Sequence, residues 1–134
     1  IINCDLFEIV PEQVYTEDDL NWQNQKSRSS VEMADRNSRP AILTKINNIE
    51  EYDTIFVGFP IWWYREPSII DTFFESYSFD NKTIIPFATS GVSPIGDSAK
   101  NIKNICPNAK VFNGERLSTD ISDENLKKFL EKFL

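Results

Sequence analysis

Four short apolar segments, rich in β-branched and aromatic residues, predict β-strands. They are DLFEIV (5–10), DTIFVGF (53–59), KTIIPFA (82–88) and AKVFNG (109–114). The two middle segments are almost continuously apolar, a pattern typical of strands that are covered on both faces. We therefore expect a buried parallel sheet.

Three segments with apolar positions every three to four residues predict helices. One follows Pro67, one spans residues 97–106, and the last begins at Ser122, a residue suited to cap a helix. Strands that alternate with helices over short connections predict βαβ crossovers. The fold class is therefore α/β, with a doubly wound parallel sheet in one domain.

Residues 11–52 interrupt this alternation with a long polar stretch. Within it, TEDDL (16–20) could open a short helix, and SSVE holds a capping pattern formed by Ser29 and Glu32. So long an excursion inside a compact domain is typical of a functional lid or a mobile loop.

An aromatic loop follows the strand predicted over 53–59. In an open α/β sheet, ligands bind outside the carboxyl ends of the strands, and an indole face can stack on a planar ring such as a flavin. Alternatively, one tryptophan packs on the helix after Pro67 and the other is a half-exposed surface residue. The residues of this loop are Pro60, Ile61, Trp62, Trp63 and Tyr64.

A second loop, ATSGVSPIG (88–96), follows the next buried strand. Its small residues would let backbone N–H groups approach a ligand, and Thr89 or Ser90 could bond to the polar edge of a ring. Taken alone, this loop is better explained as an ordinary turn from strand to helix. Together, the aromatic loop and the small polar loop favour a bound planar cofactor.

Charge and composition limit the classes of molecule that the protein could bind. The chain of 134 residues has a formal net charge of −7 and 40% hydrophobic residues. It has no apolar stretch near the roughly 20 residues that a membrane span needs. We expect neither nucleic acid nor a membrane as partner, and an acidic surface suited to a basic partner protein.

The chain contains no histidine, which removes histidine general bases and the commonest metal ligand. We therefore exclude histidine-dependent catalysis and predict no metal site. Cys4 and Cys106 lie far apart and have no metal-ligand spacing, which favours free thiols in a reducing compartment. A cytoplasmic location follows as an expectation.

The stretch 52–112, with its P-I-W-W and T-S-G loops, resembles the second half of the flavodoxin family, in particular its short-chain bacterial branch. Residues 5–22 and 27–42 are similar to the part that precedes it. The resemblance implies a flavodoxin-like sheet in the order 2-1-3-4-5 and non-covalent FMN. It also implies that the redox chemistry resides in the flavin and that the protein supplies no catalytic acid or base. The ring-facing loops of the family match Pro60, Ile61, Trp62 and Trp63, and then Thr89, Ser90, Gly91, Val92 and Ser93.

Two departures from the family pattern matter. Val92 and Pro94 replace glycines of the family's T-S-G-G-S-G loop, and a β-branched residue would disfavour a positive φ there. The family's first strand, phosphate loop and first helix are also not recognised. We thus interpret 1–134 as one flavodoxin-like domain that is incomplete at its N-terminus. Arg28 or Arg39 could reach a phosphate instead, although solvated loop arginines are the preferred interpretation.

The lack of a first strand would expose unpaired strand edges. Such a chain should be unstable, form a homodimer by exchanging or pairing elements, or lack an upstream segment. The last interpretation is preferred because the other segments are intact.

Three functions are compatible with these features. The first is an FMN-binding electron carrier that docks a basic partner. The second is an FMN-dependent reductase in which residues 11–41 form a lid over a small quinone-like or nitro-type substrate. The third is a cofactor-free binding or assembly module that uses the aromatic loop and an open strand edge.

Overall fold

The computed structural model describes residues 2–134 and shows the predicted α/β fold with a parallel sheet. The elements in chain order are α1 (Arg28–Ala34), a 3-10 turn (Ile49–Glu51), β1 (Thr54–Pro60), α2 (Ser68–Ser76), β2 (Thr83–Thr89), α3 (Ser98–Ile105), β3 (Lys110–Val111), β4 (Glu115–Arg116) and α4 (Asp123–Glu131). The two central strands and the three later helices are confirmed to within about two residues, an ordinary uncertainty at element ends. No helix within 2–134 has the length and apolarity needed to span a membrane.

All strand pairs are parallel. β1 pairs with β2 over its whole length, from Thr54 opposite Thr83 to Pro60 opposite Thr89. β3 and β4 both pair with the other side of β2. β1 and β2 therefore end side by side, and the loops that follow them leave the sheet at the same edge.

The segment 109–114, predicted as one strand, forms only the two-residue strand β3, and β4 follows directly after the segment. Ile84 and Ala88 of β2 each accept a backbone bond from this side, at 3.0 and 2.8 Å. Pro86 lies between them and has no N–H to donate. Gly114 turns the chain past Pro86 with a φ of +73°, and a Cβ there would lie 2.1 Å from the Pro86 carbonyl oxygen. The missing donor explains the break in the ladder.

The sheet separates two apolar clusters. Along β2, Ile84 and Ala88 face the cluster formed with α2 and α3, whereas Ile85 faces the cluster formed with α4. This alternation is that of a strand with helices on both faces. The first cluster also contains Cys106, and burial raises the pKa of this thiol to about 11. Both cysteines are free thiols, as expected.

The prediction of a strand over 5–10 is wrong for this structure. Residues 2–9 form no ladder and line a groove of about 1360 Å³, which the outer edge of β1 also lines. No strand within 2–134 pairs with that edge of β1. A β-strand exists only where another strand accepts its hydrogen bonds, so the apolar character of 5–10 alone does not form one. The described strands therefore show only part of the order 2-1-3-4-5. In that part, β1 lies beside β2, and β3 and β4 lie on the other side of β2.

The excursion 11–52 contains the short helix α1 and the 3-10 turn Ile49–Glu51. The N-cap of α1 is Ser27, whose hydroxyl accepts from the Ser30 N–H, so the capping pattern predicted at Ser29 and Glu32 is wrong. The predicted helix at 16–20 is likewise a turn instead. It is closed by reciprocal side-chain to backbone bonds between its ends.

Candidate functional site

The site is built where β1 and β2 end. Pro60 is the register partner of Thr89, so the aromatic loop (residues 60–65) and the second loop (residues 89–97) start on adjacent strands. This is the edge at which open α/β sheets bind their ligands. The structure thus brings together the two loops that the sequence singled out.

The aromatic loop is a tight turn. The N–H of Trp62 donates to the Arg65 carbonyl at 2.9 Å, and the N–H of Arg65 donates back at 3.2 Å. The two central residues, Trp63 and Tyr64, have φ values of +46° and +67°. Such turns normally use Asn and Gly, and an L-residue in this region costs about 1–2 kcal/mol. Their side chains are 42% and 76% exposed, so the strained turn presents aromatic surface rather than burying it.

Buried charges anchor the end of this turn. Arg65 donates to the Met33 carbonyl at 3.2 Å and lies 3.6 Å from the Asp71 carboxylate. The next residue, Glu66, is completely buried and accepts from the Asn101 amide at 3.2 Å. These contacts join the turn to α1, α2 and α3. They supply the tertiary constraint that a strained backbone requires.

Two buried carboxylates, those of Glu66 and Asp71, lie in this anchor, and Asp71 influences the protonation of Glu66. Burial, and then the neighbouring Asp71 carboxyl, raises the pKa of Glu66 to about 8. No hydrogen-bond donor within 2–134 reaches Oε1 of Glu66 or Oδ1 of Asp71. Burial of two carboxylates without these donors favours the protonated form of Glu66.

The second loop folds without the strain that its sequence suggested. The described non-glycine residues with positive φ are Trp63, Tyr64 and Asn81, so Val92 lies in an ordinary backbone region. Its side chain is 92% exposed. The space around Gly91 is open, because a Cβ on this residue would meet no atom within 4 Å. The Val92 substitution therefore does not distort this loop.

The two loops also touch each other. Gly96, near the end of the second loop, has a φ of +63°, and a Cβ there would lie 2.2 Å from the carbonyl oxygen of Tyr64. Only glycine permits so close an approach. The second loop therefore rests on the backbone of the aromatic turn.

The excursion contributes Tyr15 to this edge. Its ring meets the ring of Trp62 edge-on, with centroids 5.5 Å apart. The guanidinium of Arg28 covers the Tyr15 ring at 3.7 Å, and the Tyr15 hydroxyl donates to Glu32. Burial and the Glu32 carboxylate raise the pKa of Tyr15, so this hydroxyl stays protonated. Tyr15 was not predicted, because nothing in the chain marks a contact between residues so far apart.

The two arginines considered for a phosphate are engaged elsewhere. Arg28 bonds to Glu32 at 3.1 Å and to the Gln13 carbonyl at 2.6 Å. Arg39 lies 3.0 Å from Glu75. Both are paired with carboxylates and partly buried, so their description as solvated loop arginines needs correction. Neither points to a phosphate site.

The predicted site residues differ in exposure. Trp62 and Ile61 are half-buried beneath the turn, and Trp63 is exposed. In the second loop, Ser90 is bonded by Arg116, a residue of β4 that was also missed. The remaining predicted residues line the same edge: Pro60 and Gly91 are exposed, and Thr89 and Ser93 are half-buried.

Comparison with known proteins decides the family. A family model described as flavodoxin matches residues 1–133. The chain belongs to the flavodoxin family. This membership agrees with the paired loops at the end of a parallel sheet, and it confirms the resemblance noted from the P-I-W-W and T-S-G motifs.

Two solved structures are similar to this flavodoxin-family chain. One is a candidate flavoprotein from Bacteroides eggerthii DSM 20697, with a TM-score of 0.89 and 46% identity, over 96% of this chain and 80% of that one. The other is a candidate flavoprotein from Bacteroides uniformis ATCC 8492, with a TM-score of 0.87 and 46% identity, over 93% of this chain and 80% of that one. No curated protein matches the chain.

Proposed function

We propose that this protein binds FMN non-covalently and transfers electrons through it. The observation that carries the proposal is the pairing of Pro60 with Thr89, which sets a presented aromatic turn beside a loop of small polar residues. The similarity to two candidate flavoproteins supports a flavin as the ligand.

The residues at this edge fit a planar ring. Trp62 and Trp63 offer aromatic faces for stacking, and Thr89 and Ser93 offer hydroxyls. The open space at Gly91 would accommodate a ring edge against the loop backbone. When bound, the flavin supplies the electron chemistry. The residues of this chain would bind the ring, orient it and shield one side from water.

The net charge of −7 supports a basic redox partner. Opposite charge on two partners accelerates their encounter, an effect that weakens as salt increases. We propose that the acidic surface steers such a partner to the exposed aromatic turn.

Titration of the flavin-stripped protein with FMN and, separately, with riboflavin tests this function. FMN should bind and restore the visible bands of a protein-held flavin. A clear preference for FMN over riboflavin would mean that a phosphate site exists, because riboflavin lacks the phosphate. Equal binding of both would contradict the choice of FMN. Binding of neither would contradict the function itself and favour a cofactor-free assembly module.

One observation favours the second function, a flavin-dependent reductase. Tyr15 of the excursion contacts Trp62, so part of the 11–41 segment already lies over the edge of the site. A lid in this place would enclose a small quinone-like substrate beside the ring. Oxidation of NAD(P)H with a quinone acceptor, absent when the flavin is removed, separates this reductase from a passive carrier.

A further inference from the structure

A single side chain from β4 holds the backbone of the second loop. Nη2 of Arg116 donates to the carbonyl oxygens of Ser90 and Gly91 at 2.8 and 2.6 Å, and its Nε donates to the Ser90 hydroxyl at 3.1 Å. That hydroxyl in turn donates to the Ser93 carbonyl. Arg116 therefore fixes two successive peptide groups and, through the Ser90 hydroxyl, the carbonyl of Ser93.

These bonds decide where two backbone N–H groups point. In a trans peptide the N–H lies opposite the C=O, and no described peptide bond is cis. With the Ser90 and Gly91 carbonyls turned to the guanidinium, the N–H groups of Gly91 and Val92 point away from it. Neither N–H donates a hydrogen bond to another residue within 2–134. Both donors are available to a ligand.

The sheet order gives the direction of these N–H groups. Arg116 is the register partner of Ala88, on the side of β2 opposite to β1. It therefore approaches the second loop from the side away from the aromatic loop. The N–H groups that point away from Arg116 are directed toward the side where Trp62 and Trp63 lie.

We propose that Arg116 is a positioning residue for the flavin. It orients the Gly91 and Val92 N–H groups toward the bound ring, and its charge strengthens their attraction for electron density on that ring. This inference rests on the proposed function. A fixed positive charge behind two oriented dipoles favours the electron-rich, reduced ring over the oxidised ring.

The test compares variants by FMN affinity and by the reduction potential of the bound flavin. Arg116→Met removes the charge and the bonds, and should weaken binding of oxidised FMN by about tenfold. Binding of reduced FMN should weaken by about a further tenfold, which lowers the two-electron potential by about 30 mV. Arg116→Lys keeps the charge without the fork, and should recover most of the potential but only part of the affinity.

Lys132→Met is the matched charge control. Lys132 bonds to Glu115, the neighbour of Arg116, but does not contact the second loop. Its loss should change both quantities by less than about twofold, the size of a surface charge effect. If Arg116→Met does not fold, Arg116→Gln carries the test, because it removes the charge but keeps an amide donor, and it should likewise lower the reduction potential.

Three results would overturn the proposal. A weakened affinity with an unchanged potential would make Arg116 a purely structural residue. Equal shifts in Arg116→Met and Lys132→Met would assign the effect to net charge. A wild-type protein that binds no flavin would instead show, before any variant is made, that the proposed function has failed.

Discussion

A Cβ on Gly96 would lie 2.2 Å from the carbonyl oxygen of Tyr64, so the two loops of the site pack together at a position that only glycine can fill. Gly96 is in the left-handed region, and Tyr64 is itself in the strained turn. The position of the aromatic turn therefore depends on a residue about thirty positions later in the chain.

Gly96→Ala should destabilise the protein by at least about 1–2 kcal/mol, because alanine is strained at positive φ and its Cβ would collide with Tyr64. The displaced turn should also weaken FMN binding. Urea unfolding of the apoprotein measures the first effect. Gly91→Ala is the control, since its Cβ meets nothing within 4 Å and it should change stability by less than about 0.5 kcal/mol. Equal stability of the two variants would contradict this account of the loop contact.

Tyr15→Ala should weaken FMN binding severalfold, since it removes the ring that supports Trp62. Tyr15→Phe keeps the ring and loses only the hydroxyl bond to Glu32. The net contribution of such a hydrogen bond to stability is about 1 kcal/mol. Fluorescence titration with FMN should therefore separate the variants, with Phe close to wild type. Similar losses in both would show that the hydroxyl, not the ring, supports the site.

Stability should fall as pH rises through the range set by Glu66. Its pKa is about 8 in the folded protein and near 4.5 when unfolded, so the folded state binds more protons between these values. The contribution is complete below about pH 4.5 and is lost as pH rises through 8, with a slope of up to about 1.4 kcal/mol per pH unit. Glu66→Gln, which cannot ionise, should flatten this part of the profile. Urea melts between about pH 5 and pH 9, a range that brackets this pKa, measure the free energy of unfolding of both proteins. The same pH dependence in wild type and Glu66→Gln would contradict a buried neutral carboxyl.

Local sequence patterns predicted those parts of the fold that depend on local forces. The segments 53–59 and 82–88 are apolar on both faces and became the central strands. Pro67 and Ser122 correctly predicted where α2 and α4 begin, because each residue type favours a helix N-terminus. The loops at the strand ends were placed correctly because parallel strands in register must end together.

The errors arise where distant partners decide the structure. The segment 5–10 has the composition of a strand but no ladder partner within 2–134. The segment predicted as a strand over 109–114 is interrupted by Pro86, which lies about two dozen residues earlier in the chain. Arg116 and Tyr15 reach the site from β4 and from the excursion, and their sequence neighbours carry no motif. Such contacts become visible only once the topology is known.

The central claim is that the flavin is held at the aromatic turn, and FMN affinity of the Trp62→Ala, Trp63→Ala double variant tests it most directly. Trp22→Ala is the control, since Trp22 is 68% exposed in the excursion and does not belong to the turn. The account predicts that the double variant loses at least about tenfold in affinity, as expected when stacked aromatic faces are removed, while Trp22→Ala binds like wild type. Unchanged affinity in the double variant would contradict a flavin site at this turn.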